Sequence, residues 1–145
     1  MAVGTRNDPY MGFKFVVELG GVVVAGFSEV TGLQVEVEVQ EYREGGLNEY
    51  MHKRVGPTRY PSNLVLKHGI TDKRELWKWH QDVAHGKVER KNGSIILLNP
   101  AGDEVWRWNF EGAYPVRWNG PDLRANTAEV AVETLELVHR GITLA

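Results

Sequence analysis

The chain has no cysteine, which removes disulfide frameworks, thiolate metal sites and cysteine nucleophiles together. Its stability has to come from packing and association. Serine is nearly as scarce: Ser28, Ser62 and Ser94 are the only three, and none sits in the Gly-x-Ser-x-Gly pattern of a nucleophile elbow. A turn or strand role suits each. Neither sign of charge dominates, since 17 Lys and Arg stand against 19 Asp and Glu for a formal net charge of −2, so no global basic field argues for a nucleic-acid partner. Long apolar runs are missing as well. Val22-Val23-Val24-Ala25 is the nearest, far short of the ~20 residues that span a bilayer. The opening residues, with Arg6, Asn7, Asp8 and Pro9, lack the apolar centre of a secretory signal. The expectation is therefore synthesis in the cytoplasm, no membrane insertion by this chain, and export, if any, by a route such as assembly followed by lysis.

What is present is ordinary for one globular domain: 145 residues, 42% hydrophobic and 25% charged. A single domain over 1–145 is expected, with 1–12 as an N-terminal arm. Phe13, Phe15, Val17 and Leu19 alternate with Lys14, Val16 and Glu18, the pattern of a half-buried strand. Gly20-Gly21 then predicts a tight turn, and Val22 to Phe27 the returning strand of a β-hairpin. The clearest alternation follows. Leu33, Val35, Val37 and Val39 point one way while Gln34, Glu36, Glu38 and Gln40 point the other; on a helix, at ~100° per residue, the valines would scatter.

Between Tyr42 and Tyr60 the alternation vanishes. The segment carries Gly45-Gly46, Gly56-Pro57 and the basic trio His52-Lys53-Arg54, and a long unpatterned loop in a compact domain is usually functional. Asn63 to His68 resumes a short strand through Leu64 and Leu66. One helix is predicted from about Lys73 to His85, with Asp72 as N-cap, Glu75 in capping-box spacing and Gly86 as terminator. Leu76, Trp79, His80 and Val83 form its apolar stripe, and Trp77 falls off it.

A second hairpin is expected from Ser94 to Leu98 and Val105 to Phe110, around a turn at Asn99 to Gly102. Gly112 to Trp118 continues extended, with Pro115 placed at an edge or bulge. The last strand is expected from Thr127 to Arg140, with Glu129, Ala131 and Glu133 opposing Val130 and Val132. Glu136 comes three residues after Glu133, so if both glutamates share a face a bulge near Thr134 or Leu135 has to absorb the odd residue. The fold class is mainly β: seven or eight strands in two packed antiparallel sheets, sandwich- or barrel-like, with one flanking α-helix and no βαβ rhythm.

The five histidines, at 52, 68, 80, 85 and 139, show no His-x-x-x-His spacing. Glu36 and Glu38 share a face, but between Gln34 and Gln40 they suit a solvated surface better than acid-base catalysis. Glu44-Gly45-Gly46-Leu47 lacks the ending of a phosphate loop. Trp77, Trp79, Trp106, Trp108 and Trp118 could form a stacking platform, yet Lys78, Arg107 and Arg117 beside them point away. No catalytic residue, cofactor or metal is expected.

A small β domain with one acidic and one apolar strand face has edges that recruit neighbours. Closing the sheet across copies, by a contact whose rotation closes, gives a ring. In such a ring, parity alone would turn Glu36, Glu38, Gln40, Glu129, Ala131 and Glu133 toward water, with the valines packed against the second sheet.

A resemblance covers nearly the whole chain. Asp8-Pro9-Tyr10, Phe13-x-Phe15, Gly26-Phe27-Ser28-Glu29-Val30-Thr31-Gly32-Leu33 and Glu41-Tyr42-Arg43-Glu44-Gly45-Gly46 resemble the opening of the contractile-tail inner-tube family. Tyr60-Pro61-x-Asn63-Leu64, Leu76-Trp77-x-Trp79, Arg107-Trp108-x-Phe110, Trp118-x-Gly120-Pro121 and the stretch from Asn126 to Leu137 follow in the same order. Thr31 stands where many relatives have serine. The resemblance implies hexameric rings whose strands join a shared barrel, stacked into a hollow tube for cargo effector or phage DNA, and it makes the water-facing side with Glu36 and Glu38 the lumen. It also implies a surrounding sheath, with baseplate, spike and cap proteins at the ends. Phage tail tubes, extracellular injection particles and the ring protein of type VI secretion are the relatives implied. A phage virion and an injection particle both remain open. The resemblance further implies that the segment from Tyr42 to Tyr60 contacts other subunits, with Tyr42, Arg43, Glu44, Gly45, Gly46, Tyr50, His52, Lys53, Arg54 and Tyr60 as stacking residues. The competing reading is a monomeric carbohydrate- or peptide-binding β-sandwich.

Overall fold

In the computed structural model, which describes residues 8–24, 26–42 and 52–145, Gly20 and Gly21 adopt φ of +59° and +82°. That mirror-image turn matches the twist of the strands it joins. It pairs β1 (Phe15–Leu19) with β2 (Val22–Val24), Leu19 opposite Val22. The return strand stops there. Gly26, at φ +90°, turns the chain into a separate strand, β3 (Phe27–Thr31), which joins the other sheet.

The remaining elements are β4 (Glu36–Tyr42), β5 (His52–Arg59), β6 (Leu64–Gly69), α1 (Glu75–Ala84), β7 (Lys91–Leu98), β8 (Glu104–Asn119), β9 (Val132–Val138) and β10 (Gly141–Leu144). All strand pairs are antiparallel, in the order β2-β1-β7-β8-β9-β6-β3, with β10 also on β8. The long β8 serves both sheets. Its first part pairs with β7 and β10, and from Tyr114 onward it pairs with β9. Gly112, at φ +60°, lies at the changeover.

The two sheets meet through alternating residues. Val17, Leu19, Ile95 and Phe110 come from one, and Leu64, Leu66, Leu135 and Leu137 from the other, all buried in one cluster. Each such side chain contributes about 1.5–3 kcal/mol of burial free energy, an upper bound for a compact unfolded state. Leu76 and Trp79 of α1 join the same cluster, and the Trp79 indole nitrogen donates to the Glu89 carbonyl at 2.8 Å.

Several sequence expectations are corrected here. Asp72 does not cap the helix: α1 opens at Glu75 with Arg74 in the capping position and no side-chain bond. Thr71 takes the Lys73 N–H on its hydroxyl at 3.2 Å, a local turn that competes with helix and delays its start. The expected loop from 42 to 60 contains β5, because Gly56-Pro57 and the run of cations hide a strand whose partner supplies its hydrogen bonds. The final strand begins at Val132 rather than Thr127, with Glu133, Leu135 and Leu137 inward, the reverse of the expected parity. No bulge falls in β9, which pairs with β6 without a break from Leu137 to Val132. The irregularity lies on its other partner, between Pro115 and Arg117 of β8, where proline cannot donate to a ladder.

Candidate assembly surface

β4 and β5 form a two-stranded sheet of their own. Their register sets Glu36 opposite Arg59, Val37 opposite Thr58, Val39 opposite Val55, Gln40 opposite Arg54 and Glu41 opposite Lys53, with a shift between Val37 and Val39. Opposed residues share a face. One face of the hairpin thus carries Glu36, Glu38 and Gln40 with Arg54 and Arg59, and the other carries the valines.

That valine face is uncovered. Val35, Val37, Val39 and Val55 are 58, 49, 58 and 79% exposed, so the expectation that they pack on the second sheet fails within the chain. Isolated two-stranded hairpins are marginal in water, and a contiguous apolar stripe on one marks an interaction surface. At the root of the hairpin, the Ser62 hydroxyl donates to Gln34, and the Tyr60 ring meets His139 edge-on at 5.4 Å.

The other expected site residues scatter. Glu36 and Gln40 are exposed and Glu38 is half-buried. Glu129 is exposed ahead of β9, and Ala131 is half-buried, its carbonyl accepting from the Ile70 N–H at 2.9 Å. Glu133 is 7% exposed and therefore does not face water. Its carboxylate is held by His68 Nδ1 at 3.2 Å and by the Trp118 indole N–H at 2.9 Å. Its side of β9 is the core side, as Leu135 and Leu137 show. Among the stacking residues, Tyr42 ends β4 opposite His52, which opens β5, followed by Lys53 and Arg54; Arg43, Glu44, Gly45, Gly46 and Tyr50 lie outside the described residues. Sequence reasoning missed Val55, Thr58 and Arg59. The only available signal was Val55, a single apolar residue between charges and a Gly-Pro break.

The tryptophans do not form a common platform. Trp79 is buried, Trp118 is tied to Glu133 and meets Trp77 edge-on at 4.7 Å, and Trp106 and Trp108 pair at 5.6 Å. Among the described residues no group of three or more His, Asp or Glu is placed to hold a metal ion, and no helix is long and apolar enough to cross a membrane. A cleft of about 330 Å³ between β2 and the start of α1 reaches His68 and Glu133. Both Glu133 oxygens are already bonded to protein groups, so the carboxylate acts as a buried acceptor.

No curated protein matches the chain. The model of the T4-like virus tail tube protein gp19 family matches residues 11–143. Among solved structures, the chain is similar to one in the sheath-tube complex of the extracellular contractile injection system PVC in its extended state. That match has 28% identity and a TM-score of 0.84, and covers 94% of this chain and 91% of that one. It is also similar to a chain of the six-fold symmetrised baseplate of the anti-feeding prophage, at 27% identity and TM-score 0.83 over 97% of each chain. Hcp1 from Flavobacterium johnsoniae shares the fold at 18% identity and TM-score 0.55, covering 90% of this chain and 93% of that one. With the two-sheet architecture and nearly the full length matched, the chain belongs to the T4-like virus tail tube protein gp19 family.

Proposed function

We propose that this tail tube protein is the repeating subunit of a contractile machine's inner tube. It assembles into hexameric rings that stack around a hollow lumen, as one domain over 1–145. The observation that carries this reading is the β4–β5 hairpin, whose valine face none of the described residues covers and none of whose valines belongs to the core cluster. A neighbouring copy is the occupant that a family of tube subunits supplies, and burying four valines would contribute several kcal/mol per contact. The contact is heterologous, since a hairpin on one copy meets a different surface on the next, and such contacts close into rings or propagate into tubes. Glu36, Glu38, Gln40 and the residues from Tyr42 to Tyr60 are proposed to line or stack within that assembly. Arg54 and Arg59 on the polar face of the hairpin temper the acidic lumen inferred from Glu36 and Glu38.

The similar chains come from a sheath-tube complex and a baseplate, which supports a sheath around this tube and a baseplate with its spike at one end, a cap closing the other. The subunit acts as a conduit without catalysis, in an assembled phage tail or injection particle, for DNA or an effector. Electron microscopy of the purified chain tests the reading: rings or tubes are expected, and a strict monomer at high concentration in the presence of its sheath and baseplate partners overturns it.

A further inference from the structure

His139 lies between β9 and β10, and both of its ring nitrogens are buried without a hydrogen-bond partner among the described residues. Buried polar atoms in this condition are uncommon enough to call for a reason. The ring packs against Tyr60 with an interplanar angle of 66°. Tyr60 is the first residue beyond β5, so this contact joins the root of the hairpin to the end of β9. The neighbouring Gly141 tightens it: a methyl group there would lie 3.3 Å from the Tyr60 hydroxyl oxygen.

Neither ring nitrogen has an acceptor among the described residues to stabilise an added proton. Besides Tyr60 and the Arg59 before it, the adjoining elements carry Glu104, Arg107, Glu111, Tyr114 and Arg117 on β8 and Glu133 and Glu136 on β9, with Arg140 following His139 and Arg90 ahead of β7. Glu111 accepts the Arg140 N–H on its backbone carbonyl at 2.8 Å. Arg90 sits over the Tyr114 ring at 4.8 Å. The Glu136 carboxylate is engaged by Asn63 at 3.2 Å and Arg117 at 3.5 Å. Arg140, next in sequence, adds like charge.

We propose that His139 is a protonation-controlled latch: its neutral ring clamps Tyr60 and holds the β4–β5 hairpin, and its protonation releases the hairpin root. An imidazolium has two N–H donors and a charge to solvate, and this position provides for neither. Burial holds the His139 pKa below the ordinary histidine value. The open form therefore binds the proton more readily. The clamp is at full strength above the ordinary histidine pKa of about 6.5 and weakens as pH falls through and below it. Its consequence for tube assembly rests on the hairpin being the assembly surface.

The test uses the full unassembled chain. NMR titration of the His139 ring is combined with amide exchange of β5, corrected for the intrinsic pH dependence of exchange, in wild type and His139→Phe. In wild type, protection of residues 53–59 should be lost progressively as pH falls from 7.5 to 5, because the open form takes the proton more readily. His139→Phe, which keeps an aromatic ring but cannot take a proton, should show no fall. A ring that titrates at or above the ordinary histidine value, or an equal fall in the variant, overturns the latch. Should His139→Phe fail to fold, the wild-type ring titration decides alone. Tube yield followed over the same pH range separates the two readings: loss of β5 protection with tubes intact supports the latch and removes the hairpin from assembly.

Discussion

The indole N–H of Trp118 donates to Glu133 at 2.9 Å, and the other oxygen of that carboxylate lies 3.2 Å from His68 Nδ1. Three strands and two aromatic rings are thereby fastened to one acid in the core. A buried carboxylate is tolerable when it is fully hydrogen-bonded and costly when it is not.

Replacing Glu133 by alanine removes the acceptor of the Trp118 indole N–H and the His68 contact, and should lower stability by about 3–5 kcal/mol. Glu129→Lys, on the exposed approach to β9, should change it by less than about 0.5 kcal/mol. Urea unfolding of the two variants gives the comparison; similar small effects would remove Glu133 from any structural role.

Gly32 adopts φ +95°, and a methyl group there would lie 2.0 Å from the Asn63 carbonyl oxygen. Gly32→Ala should cost more than about 2 kcal/mol, combining left-handed strain with a backbone clash at the root of β6. Gly12, with no atom within 4 Å of such a methyl, should accept alanine with a change under about 0.5 kcal/mol. Thermal melts of both variants check the contrast.

The hairpin valines separate folding from assembly. Val37→Asp with Val39→Asp should leave the unassembled chain within about 1 kcal/mol of wild type, because both side chains are already in water. Tubes should be lost. Micrographs showing wild-type tube yield from this variant would sink the assembly role of the valine face.

Glu36 stands opposite Arg59 in the hairpin register. Glu36→Lys should weaken β4–β5 pairing by about 0.2–1 kcal/mol through like charge, and adding Arg59→Glu should restore it. A double-mutant cycle on hairpin amide protection measures the coupling. Additive effects would show that the two side chains do not interact.

Trp77 meets Trp118 edge-on at 4.7 Å from the exposed side of α1. Trp77→Ala should cost about 0.5–1.5 kcal/mol beyond lost burial, read by chemical unfolding with a change in tryptophan fluorescence. An unchanged midpoint would mean the pair contributes nothing.

Legibility followed local periodicity. The Gly20-Gly21 turn, the strand through Leu64 and Leu66, the helix stripe of Leu76 and Trp79 and the turn from Asn99 to Gly102 were readable because each is encoded within a few residues. The ordered resemblance along the chain led to the family that the comparisons then established. The hairpin strand β5 was not readable, since His52-Lys53-Arg54-Val55-Gly56-Pro57 has neither alternation nor strand-forming composition. Its conformation comes from hydrogen bonds to β4.

The sequence by itself determined that alternating residues would build a mainly β domain with one helix and no cysteine chemistry, because side-chain period and composition are local properties. Only the tertiary structure decided which face of each alternation is inside. Alternation states that two faces differ but leaves their assignment to the partner strand. Valines that read as core are exposed on a hairpin that none of the described residues covers, and Glu133, which read as solvated, is buried where His68 and Trp118 hold its carboxylate.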